Sequence, residues 1–335
     1  MKIFLDTLDT AMISKYAKMG VIQGVTTNPT LAKRFDMSDD IDMVQKVNQA
    51  LGEGEIHVEA FGDTKEEIVE NADGIIKLCK GIDIVFKIPF SEEGVAGARI
   101  LVERGHKTNL HLIYSINQAL IAAVIESTYI CPLAGRLDDI GHDALSNIQA
   151  MINAFRTNGI NTNVMVSSVR HPQHAIRAFN IGADVVTVPI NVLLQMFQHP
   201  LTDYGVDTFR QDIELMKPVG SRYIDRNLVV QENDTLQDAL SILASNRAGA
   251  VAVCSGQRLT GIFTAGDLKR IVQSGKDSFS LSDSIAKYMT KNPIAIDLNE
   301  QTIKAIEIIK KHGVEQLIVL DNSTVIGVLD AKELI

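Results

Sequence analysis

Up to residue 217, short apolar runs alternate with longer stretches that carry apolar residues at helical spacing. Such runs predict buried strands of a parallel sheet, and the periodic stretches predict amphipathic helices. The predicted strands are residues 3–5, 21–25, 56–60, 82–88, 110–113, 129–133, 163–166 and 185–188. The predicted helices are residues 31–49, 65–78, 94–104, 116–126, 142–158, 172–180 and 191–198. Strand–helix units repeated eight times along this sequence predict an α/β fold, the closed (β/α)8 or TIM barrel.

Polar side chains stand where most of the predicted strands end. In a (β/α)8 barrel the carboxyl ends of the strands surround one mouth, and the active sites of such barrels lie there. Taken singly, Asp6 and Asn28 also fit turn or cap roles, Ser168 fits a helix cap, and Glu59 with Arg136 fits a structural ion pair. Taken together, polar residues at so many strand ends predict one shared site.

Lys87 is the residue around which we expect this site to form. It follows the apolar run 84–86, and Pro89 stands two positions after it. Proline cannot donate to a sheet ladder, so the strand should end there and place Lys87 near its carboxyl end. A lysine amine withdrawn from water is deprotonated more easily and then attacks carbonyl carbons. The alternative is a lysine whose stem lies along the barrel and whose amine reaches solvent.

The sequence after the barrel repeats itself once. Residues 191–217 predict a long polar helix, and the Lys-Pro-Val-Gly-Ser run at 217–221 ends it, so we expect domains at 1–217 and 218–335. In the second domain a helix, an apolar strand and a closing motif at 261–268 recur, the second closing motif being 327–334. Two such units bury apolar surface against each other. We expect repeat one to cover about 222–282 and repeat two about 283–335.

Composition narrows the class of protein. The net charge of −9 argues against a nucleic-acid-binding protein. The sequence has neither an N-terminal targeting pattern nor an apolar run long enough to cross a membrane, so we expect a cytoplasmic protein without a membrane partner. Cys79, Cys131 and Cys254 lack metal-ligand spacing, which predicts a reducing compartment and no zinc site.

The motifs of residues 1–217 resemble those of the transaldolase and fructose-6-phosphate aldolase family. The matching stretches are 4–7 (Phe-Leu-Asp-Thr), 24–30 (Gly-Val-Thr-Thr-Asn-Pro-Thr), 58–60 (Val-Glu-Ala), 86–89 (Phe-Lys-Ile-Pro), 135–136 (Gly-Arg) and 168–170 (Ser-Val-Arg). The resemblance implies a Schiff-base transaldolase that moves a dihydroxyacetone unit between phosphorylated ketose and aldose sugars without a metal or cofactor. It also implies a homo-oligomer, in which a C-terminal helix packs on a neighbouring subunit.

The resemblance implies a role for each matching residue. Lys87 would form the imine, and Asp6 would take up and return the proton of the sugar's C4 hydroxyl. Glu59 would act on a bound water that His111 helps to hold. The residues implied to bind the substrate are Thr26, Asn28, Asn109, Cys131, Arg136, Ser168 and Arg170. Among these, the two asparagines would hold hydroxyls of the dihydroxyacetone unit, and the arginines with the serine would bind the phosphate.

Three positions near the expected Schiff base depart from the family pattern. His111 stands where Thr is usual, Cys131 where Ser or Ala is usual, and Leu133 where an aromatic residue is usual. These exchanges leave the identity of the sugar substrate undetermined. They also leave open an aldolase-like lyase acting on a specialised sugar. An alternative of another class is a non-catalytic barrel that serves as a nucleotide sensor or scaffold.

The repeated second domain resembles an α+β pair of CBS domains. Such a pair implies an adenine nucleotide between the repeats, with Thr264 and Asp267 holding the ribose. Asp330 and Glu333 depart from this pattern in the second copy, so we expect at most one nucleotide site. The alternative is a domain that only assembles subunits.

Overall fold

The chain folds into a closed parallel barrel followed by two smaller sheets. The structure is a computed structural model and describes residues 1–37, 39–275 and 279–334. The chain divides into two compact units, Met1–Gln198 and His199–Ile335. The predicted domain boundary at 217/218 stays a prediction. No helix in the described ranges is both long enough and apolar enough to span a bilayer.

The barrel has strands at the places where the apolar runs predict them. The strands are β1 Lys2–Asp6, β2 Gly24–Thr26, β3 Glu55–Glu59, β4 Ile84–Pro89, β5 Lys107–Ile113, β6 Tyr129–Pro132, β7 Asn163–Val166 and β8 Val185–Val188. Each pairs in parallel with its sequence neighbour, and β1 also pairs with β8, which closes the sheet. The predicted TIM barrel is therefore confirmed.

Helices connect the strands of the barrel. They are α1 Thr10–Lys18, α2 Pro29–Arg34, α3 Asp40–Leu51, α4 Lys65–Leu78, α5 Glu92–Glu103, α6 Ile116–Val124, α7 Ala134–Asp138, α8 Ala144–Thr157, α9 Pro172–Asn180 and α10 Ile190–Met196. Capping boxes begin α4, with Thr64 and Glu67, and α6, with Ser115 and Gln118. In such a box two backbone N–H groups that lack helical partners are satisfied reciprocally.

Two predicted helices are interrupted in the structure. The predicted helix 31–49 is wrong, because Asp36 has a φ of 53° and Asp39 begins α3 by accepting two backbone hydrogen bonds. The long helix predicted for 191–217 is also wrong. The chain leaves α10 after Met196 and begins a new helix, α11, at Pro200. Proline is suited to that position, since its missing N–H has no partner in a first turn.

Apolar side chains fill the barrel on both sides of its strands. The larger cluster lies between the strands and the helices. A smaller cluster consists of Phe4, Val85, Tyr129, Cys131, Met165 and Val185. His57 and Asn109 are also fully buried, and the His57 ring packs edge-on against Phe4 and Tyr129. The barrel is thus closed below its mouth by packed side chains.

The second unit contains two sheets of similar construction. Its elements are α11 Pro200–Met216, β9 Val229–Gln231, α12 Leu236–Ser245, β10 Ala250–Ser255, β11 Arg258–Thr264, α13 Ala265–Gln273, β12 Thr290–Lys291, β13 Ala295–Asp297, α14 Thr302–His312, β14 Gln316–Asp321 and β15 Thr324–Asp330. Each sheet combines a parallel pair with an antiparallel hairpin. The predicted α+β repeat is confirmed.

The two repeats exchange short segments. β12 follows the predicted repeat boundary at 282/283 but pairs with β11 of the first sheet. Conversely, Val219 precedes the first repeat but lies in the core of the second, and Asp225 forms a bridge with Val328. The repeat boundary itself stays a prediction, and hydrogen bonds cross it in both directions.

Candidate active site

A cavity of about 520 Å³ opens at the carboxyl ends of the barrel strands. Among the residues that line it are nine of the predicted site residues, namely Asp6, Thr26, Asn28, Glu59, Lys87, His111, Cys131, Arg136 and Ser168. Asn109 and Arg170 are absent from this lining. Phe61, Leu112 and Thr187 line the cavity but were not predicted. The shared mouth predicted from the strand ends therefore exists in the structure.

Lys87 lies at the bottom of this cavity near the end of β4. Its residue is 6% exposed, and its Nζ donates a hydrogen bond of 2.6 Å to the carbonyl oxygen of Thr27. Glu59 on β3 is paired in register with Lys87, and its Oε2 lies 3.9 Å from Nζ. The amine thus donates to one carbonyl oxygen and lies within ion-pair distance of one carboxylate, while it remains at the cavity surface.

Glu59 and His111 form a direct pair above Lys87. His111 Nε2 and Glu59 Oε1 are 2.6 Å apart. Burial lowers the pKa of His111, although the adjacent Glu59 opposes this shift. The register of β5 shifts between His111 and Ile113, and Leu112 has a φ of 58°. Such a bulge redirects side chains at a strand end, and Leu112 lines the cavity.

Asp6 lies at the end of β1 beside two threonines. Thr26 Oγ1 is 2.8 Å from Asp6 Oδ1 and 2.6 Å from Thr187 Oγ1. A carboxylate only accepts hydrogen bonds, so Thr26 donates to ionised Asp6 and Thr187 donates to Thr26. Burial raises the pKa of Asp6, opposed by the charge of Lys87 and the bond from Thr26. A carboxylate with a raised pKa is a better proton acceptor.

Two arginines approach each other at the far side of the mouth. Arg136 and Ser168 line both the central cavity and a neighbouring cavity of about 380 Å³, and Arg170 lines only the latter. Arg170 pairs with Asp139 at 2.6 Å. A Cβ on Gly135 would lie 2.2 Å from the carbonyl oxygen of Ser168. Glycine therefore permits the close approach of the two arginine-bearing segments.

His174, which was not among the predicted site residues, accepts a hydrogen bond from the segment that carries Arg170. Its Nδ1 accepts a hydrogen bond of 3.2 Å from the backbone N–H of Arg170. Its Nε2 is 3.0 Å from Asp138 Oδ2 on α7, the helix that carries Arg136. One imidazole thus links both arginine-bearing segments.

The two predicted asparagines have different surroundings. Asn28 lines the cavity, and its Oδ1 accepts a hydrogen bond of 2.9 Å from Leu31 N at the start of α2. The cap role considered for it is therefore present. Asn109 is fully buried beside Lys87 in the β4–β5 register, and its Nδ2 lies 2.9 Å from His57 Nδ1. Substrate contact by either side chain stays a prediction.

The cysteines are separate in the structure. Cys79, Cys131 and Cys254 are free and buried. Cys131 lines the cavity, and burial raises the pKa of its thiol, so that it presents a small neutral group. Across residues 1–37, 39–275 and 279–334, no group of three or more His, Cys, Asp or Glu side chains is arranged to hold a metal ion.

The predicted ribose-binding pair forms a capping box in the second unit. Thr264 begins α13, and Asp267 accepts hydrogen bonds from the Thr264 N–H at 2.8 Å and hydroxyl at 2.7 Å. Asp267 is buried, pairs with Arg270 and accepts a 2.9 Å bond from Thr290. Its role toward a ribose stays a prediction, and a bound ribose would have to share these partners.

We expect His111→Thr to reduce the loss of barrel stability in acid. Because burial lowers the pKa of His111, the unfolded chain binds a proton below its ordinary pKa of about 6.5 while the folded chain does not. Stability then falls as pH falls through that value, by up to about 1.4 kcal/mol per pH unit for this group. Urea unfolding at several pH values between about 7.5 and 5.5 measures the slope. His142→Thr, at an exposed position, is the control. Equal slopes for wild type and His111→Thr would contradict this expectation.

Comparison with known proteins shows the family to which this chain belongs. Residues 3–238 match the family model described as Transaldolase/Fructose-6-phosphate aldolase, and residues 219–274 and 285–335 match the CBS domain. A "Probable transaldolase" of Thermoanaerobacter sp. (strain X514) is 42% identical over 212 residues, covering 63% of this chain and 96% of that protein. Another, of Methanococcus maripaludis (strain C7), is 40% identical over 214 residues, covering 64% of this chain and 98% of that protein.

Among solved structures, a CBS domain protein from Pyrobaculum aerophilum complexed with AMP is 18% identical. The match covers 35% of this chain and 88% of that chain, with a TM-score of 0.32. The chain therefore belongs to the transaldolase and fructose-6-phosphate aldolase family and carries a CBS-domain pair.

Proposed function

We propose that the barrel is a Schiff-base transaldolase that moves a dihydroxyacetone unit from a phosphorylated ketose to a phosphorylated aldose. The observation that carries the proposal is the buried Lys87 amine, which shares one cavity with Asp6, Glu59 and His111. The "Probable transaldolase" relatives support the transferase over the lyase.

Imine formation uses the pair next to Lys87. The neutral amine adds to the C2 carbonyl of the ketose, and the resulting carbinolamine loses its hydroxyl as water. Glu59 Oε2, 3.9 Å from Nζ, is near enough to exchange these protons through the carbinolamine hydroxyl or a water. The 2.6 Å contact of Glu59 with His111 gives the proton a second site. His111 thus acts within the relay in addition to holding a water.

Carbon–carbon cleavage uses Asp6. Its carboxylate takes the proton from the C4 hydroxyl, and the electron pair of the C3–C4 bond moves into the iminium to give an enamine. The shortened aldose leaves. The acceptor aldehyde then adds to the enamine while Asp6 returns the proton, and hydrolysis frees Lys87. The raised pKa of Asp6, caused by burial, favours the uptake of the hydroxyl proton.

The sugar phosphate is proposed to bind at the arginine side of the mouth. Arg136 is exposed there and makes only a 3.5 Å contact with the hydroxyl of Tyr114 among the hydrogen bonds of the described residues. Arg170 would exchange part of its contact with Asp139 for the phosphate. Two guanidinium groups suit a dianion because each can donate two parallel hydrogen bonds.

We also propose that the protein is a homo-oligomer and that α11 contributes to the interface. Val206, Phe209, Ile213 and Met216 recur at helical spacing on this helix and are exposed. A contiguous apolar stripe of this kind marks an interaction surface.

We expect Phe209→Asp to lower the assembly state seen by sedimentation velocity. Asp212→Asn, which also alters the charge of this helix by one unit but keeps the apolar stripe, should leave the assembly state unchanged. A wild-type monomer at micromolar concentration would contradict the proposal.

Borohydride reduction in the presence of fructose 6-phosphate tests the catalytic lysine. We expect a covalent sugar adduct on the peptide that contains Lys87, because borohydride reduces the imine to a stable amine. Lys87→Met fills the same volume without a nucleophile, so it should remove the adduct and leave less than about one per cent of the activity. Lys46→Met, at an exposed lysine of α3, is the matched control.

The same reactions separate the alternatives. Transfer that requires an added aldose phosphate supports the transaldolase, whereas free dihydroxyacetone released from the ketose alone supports a lyase. Activity of Lys87→Met above about one per cent would remove the covalent role of this residue. Failure of every phosphorylated ketose to give an adduct would favour a non-catalytic barrel.

For the CBS pair we propose binding of one adenine nucleotide near the α13 terminus. Thr264 and Asp267 lie at the closing motif of the first repeat, and Asp267 is 2% exposed. The N-terminus of a helix also favours the negative charge of a phosphate.

We expect AMP, ADP or ATP to raise the melting temperature of the full chain. At a hundredfold excess over Kd the stabilisation is about 2.7 kcal/mol. Asp267→Ala should remove most of this gain. Asp238→Ala is matched to it, because Thr235 and Asp238 form the same kind of capping box at α12. A gain lost equally in both variants would assign Asp267 a capping role alone, and no gain with any nucleotide would favour an assembly domain.

A further inference from the structure

A column of buried polar side chains runs through the barrel below Lys87. At its lower end Glu55 contacts Lys107 at 2.7 Å and accepts a 2.6 Å hydrogen bond from the hydroxyl of Tyr129. Burial acts to raise the pKa of Glu55, but its contacts with His57, Lys107 and Tyr129 outweigh burial and hold the pKa well below its usual range. Glu55 is therefore a fixed anion at the base of the column.

The fixed anion selects one tautomer of His57. This imidazole is fully buried, and burial lowers its pKa, so the ring is neutral. Its Nε2 has no hydrogen-bond partner within the described residues and lies 4.0 Å from Glu55 Oε2. Because a carboxylate offers only acceptors, the neutral ring is more stable with its proton on Nε2 than with a lone pair there. Nδ1 is then the hydrogen-bond acceptor.

The tautomer of His57 in turn fixes the orientation of the Asn109 side-chain amide. His57 Nδ1 lies 2.9 Å from Asn109 Nδ2, and an acceptor at Nδ1 requires the NH2 group of the amide to face it. The carbonyl oxygen Oδ1 consequently points away from His57. Within the described residues this buried oxygen has no hydrogen-bond partner. A buried amide oxygen without a partner is costly and is uncommon in folded proteins.

The strand register shows which way the free oxygen points. Glu59, Lys87 and Asn109 are at one level of β3, β4 and β5. His57 pairs with Val85, two residues nearer the amino end of each strand. The NH2 group therefore points down the barrel axis, and Oδ1 lies on the side of the Lys87 layer.

We propose that His57 is a positioning residue that turns Asn109 so that an acceptor, and never a donor, is offered beside the imine carbon. This inference rests on the proposed function. Its consequence is selection for a donor ketone with a hydroxyl on C1, the carbon next to the reacting carbonyl that forms no new bond, since that hydroxyl donates to Oδ1. A donor lacking the hydroxyl leaves the oxygen unpaired, a defect that enzymes discriminate against strongly.

Two donor ketones that differ by one hydroxyl test the proposal. Rates of transfer to erythrose 4-phosphate are compared for fructose 6-phosphate and 1-deoxyfructose 6-phosphate, which give up a dihydroxyacetone and a hydroxyacetone unit respectively. We expect His57→Leu to lower the rate with fructose 6-phosphate roughly tenfold and the rate with the 1-deoxy sugar much less. His57→Asn keeps an acceptor near the Nδ1 position and should restore the preference. Thr108→Val removes a 3.0 Å contact with Ser127 at an equally buried position on β5 and should leave the ratio unchanged. Equal losses with both donors in His57→Leu would overturn the proposal.

A measurement without substrate separates this proposal from the proposed function. Nitrogen-15 NMR of the full chain with labelled histidine reports the tautomer of His57, which is assigned from the signal missing in His57→Asn. We expect the Nε2–H tautomer at neutral pH. An Nδ1–H tautomer, or a protonated ring, would overturn the positioning argument even if Lys87 forms the adduct. Conversely, an absent adduct together with the expected tautomer would reject the Schiff-base function and leave the Asn109 orientation standing.

Discussion

The withdrawal of one lysine amine from water is the constraint on which the barrel mouth depends. A buried amine must keep hydrogen-bond partners or its desolvation destabilises the fold. Parallel pairing of β2, β3 and β4 sets two groups beside Lys87: the Thr27 carbonyl, which accepts a hydrogen bond from the amine, and the Glu59 carboxylate, an ion-pair partner 3.9 Å away. The same contacts leave the amine at the surface of the cavity. Stability of the buried amine and access to it therefore come from one arrangement.

The interior below the mouth has an unusual mixture of apolar and polar groups. Val85 and Met165 pack as an ordinary barrel core, yet His57, Asn109 and Glu55 are buried among such side chains. Buried polar groups that are only partly satisfied cost stability, so they persist where function requires them. Within the described residues, four buried side-chain atoms lack a hydrogen-bond partner. Those of His57, Glu59 and Asn109 lie at or immediately below the Lys87 layer, and the fourth belongs to Asn71 on α4.

The sequence predicts the barrel well because strand–helix alternation and polar strand ends are local patterns. It does not predict the break between α2 and α3, which depends on the backbone conformation of Asp36. Nor does it predict the bulge at Leu112, since a register shift is a property of two paired strands. His57 was missed because one histidine inside an apolar strand gives no signal of its own. Its significance comes from Asn109 and Glu55, which are brought to it only by the closed sheet.

The exchange of short segments between the two repeats determines where the second unit can be divided without loss of structure. Each repeat is completed by residues from outside its own sequence. β12 adds a strand to the first sheet, and Val219 fills part of the core of the second repeat. A single repeat excised at 282/283 would lose a strand pairing or a core side chain. We therefore expect the pair, together with the connector that carries Val219, to fold as one unit, and neither repeat to fold stably after separation at 282/283.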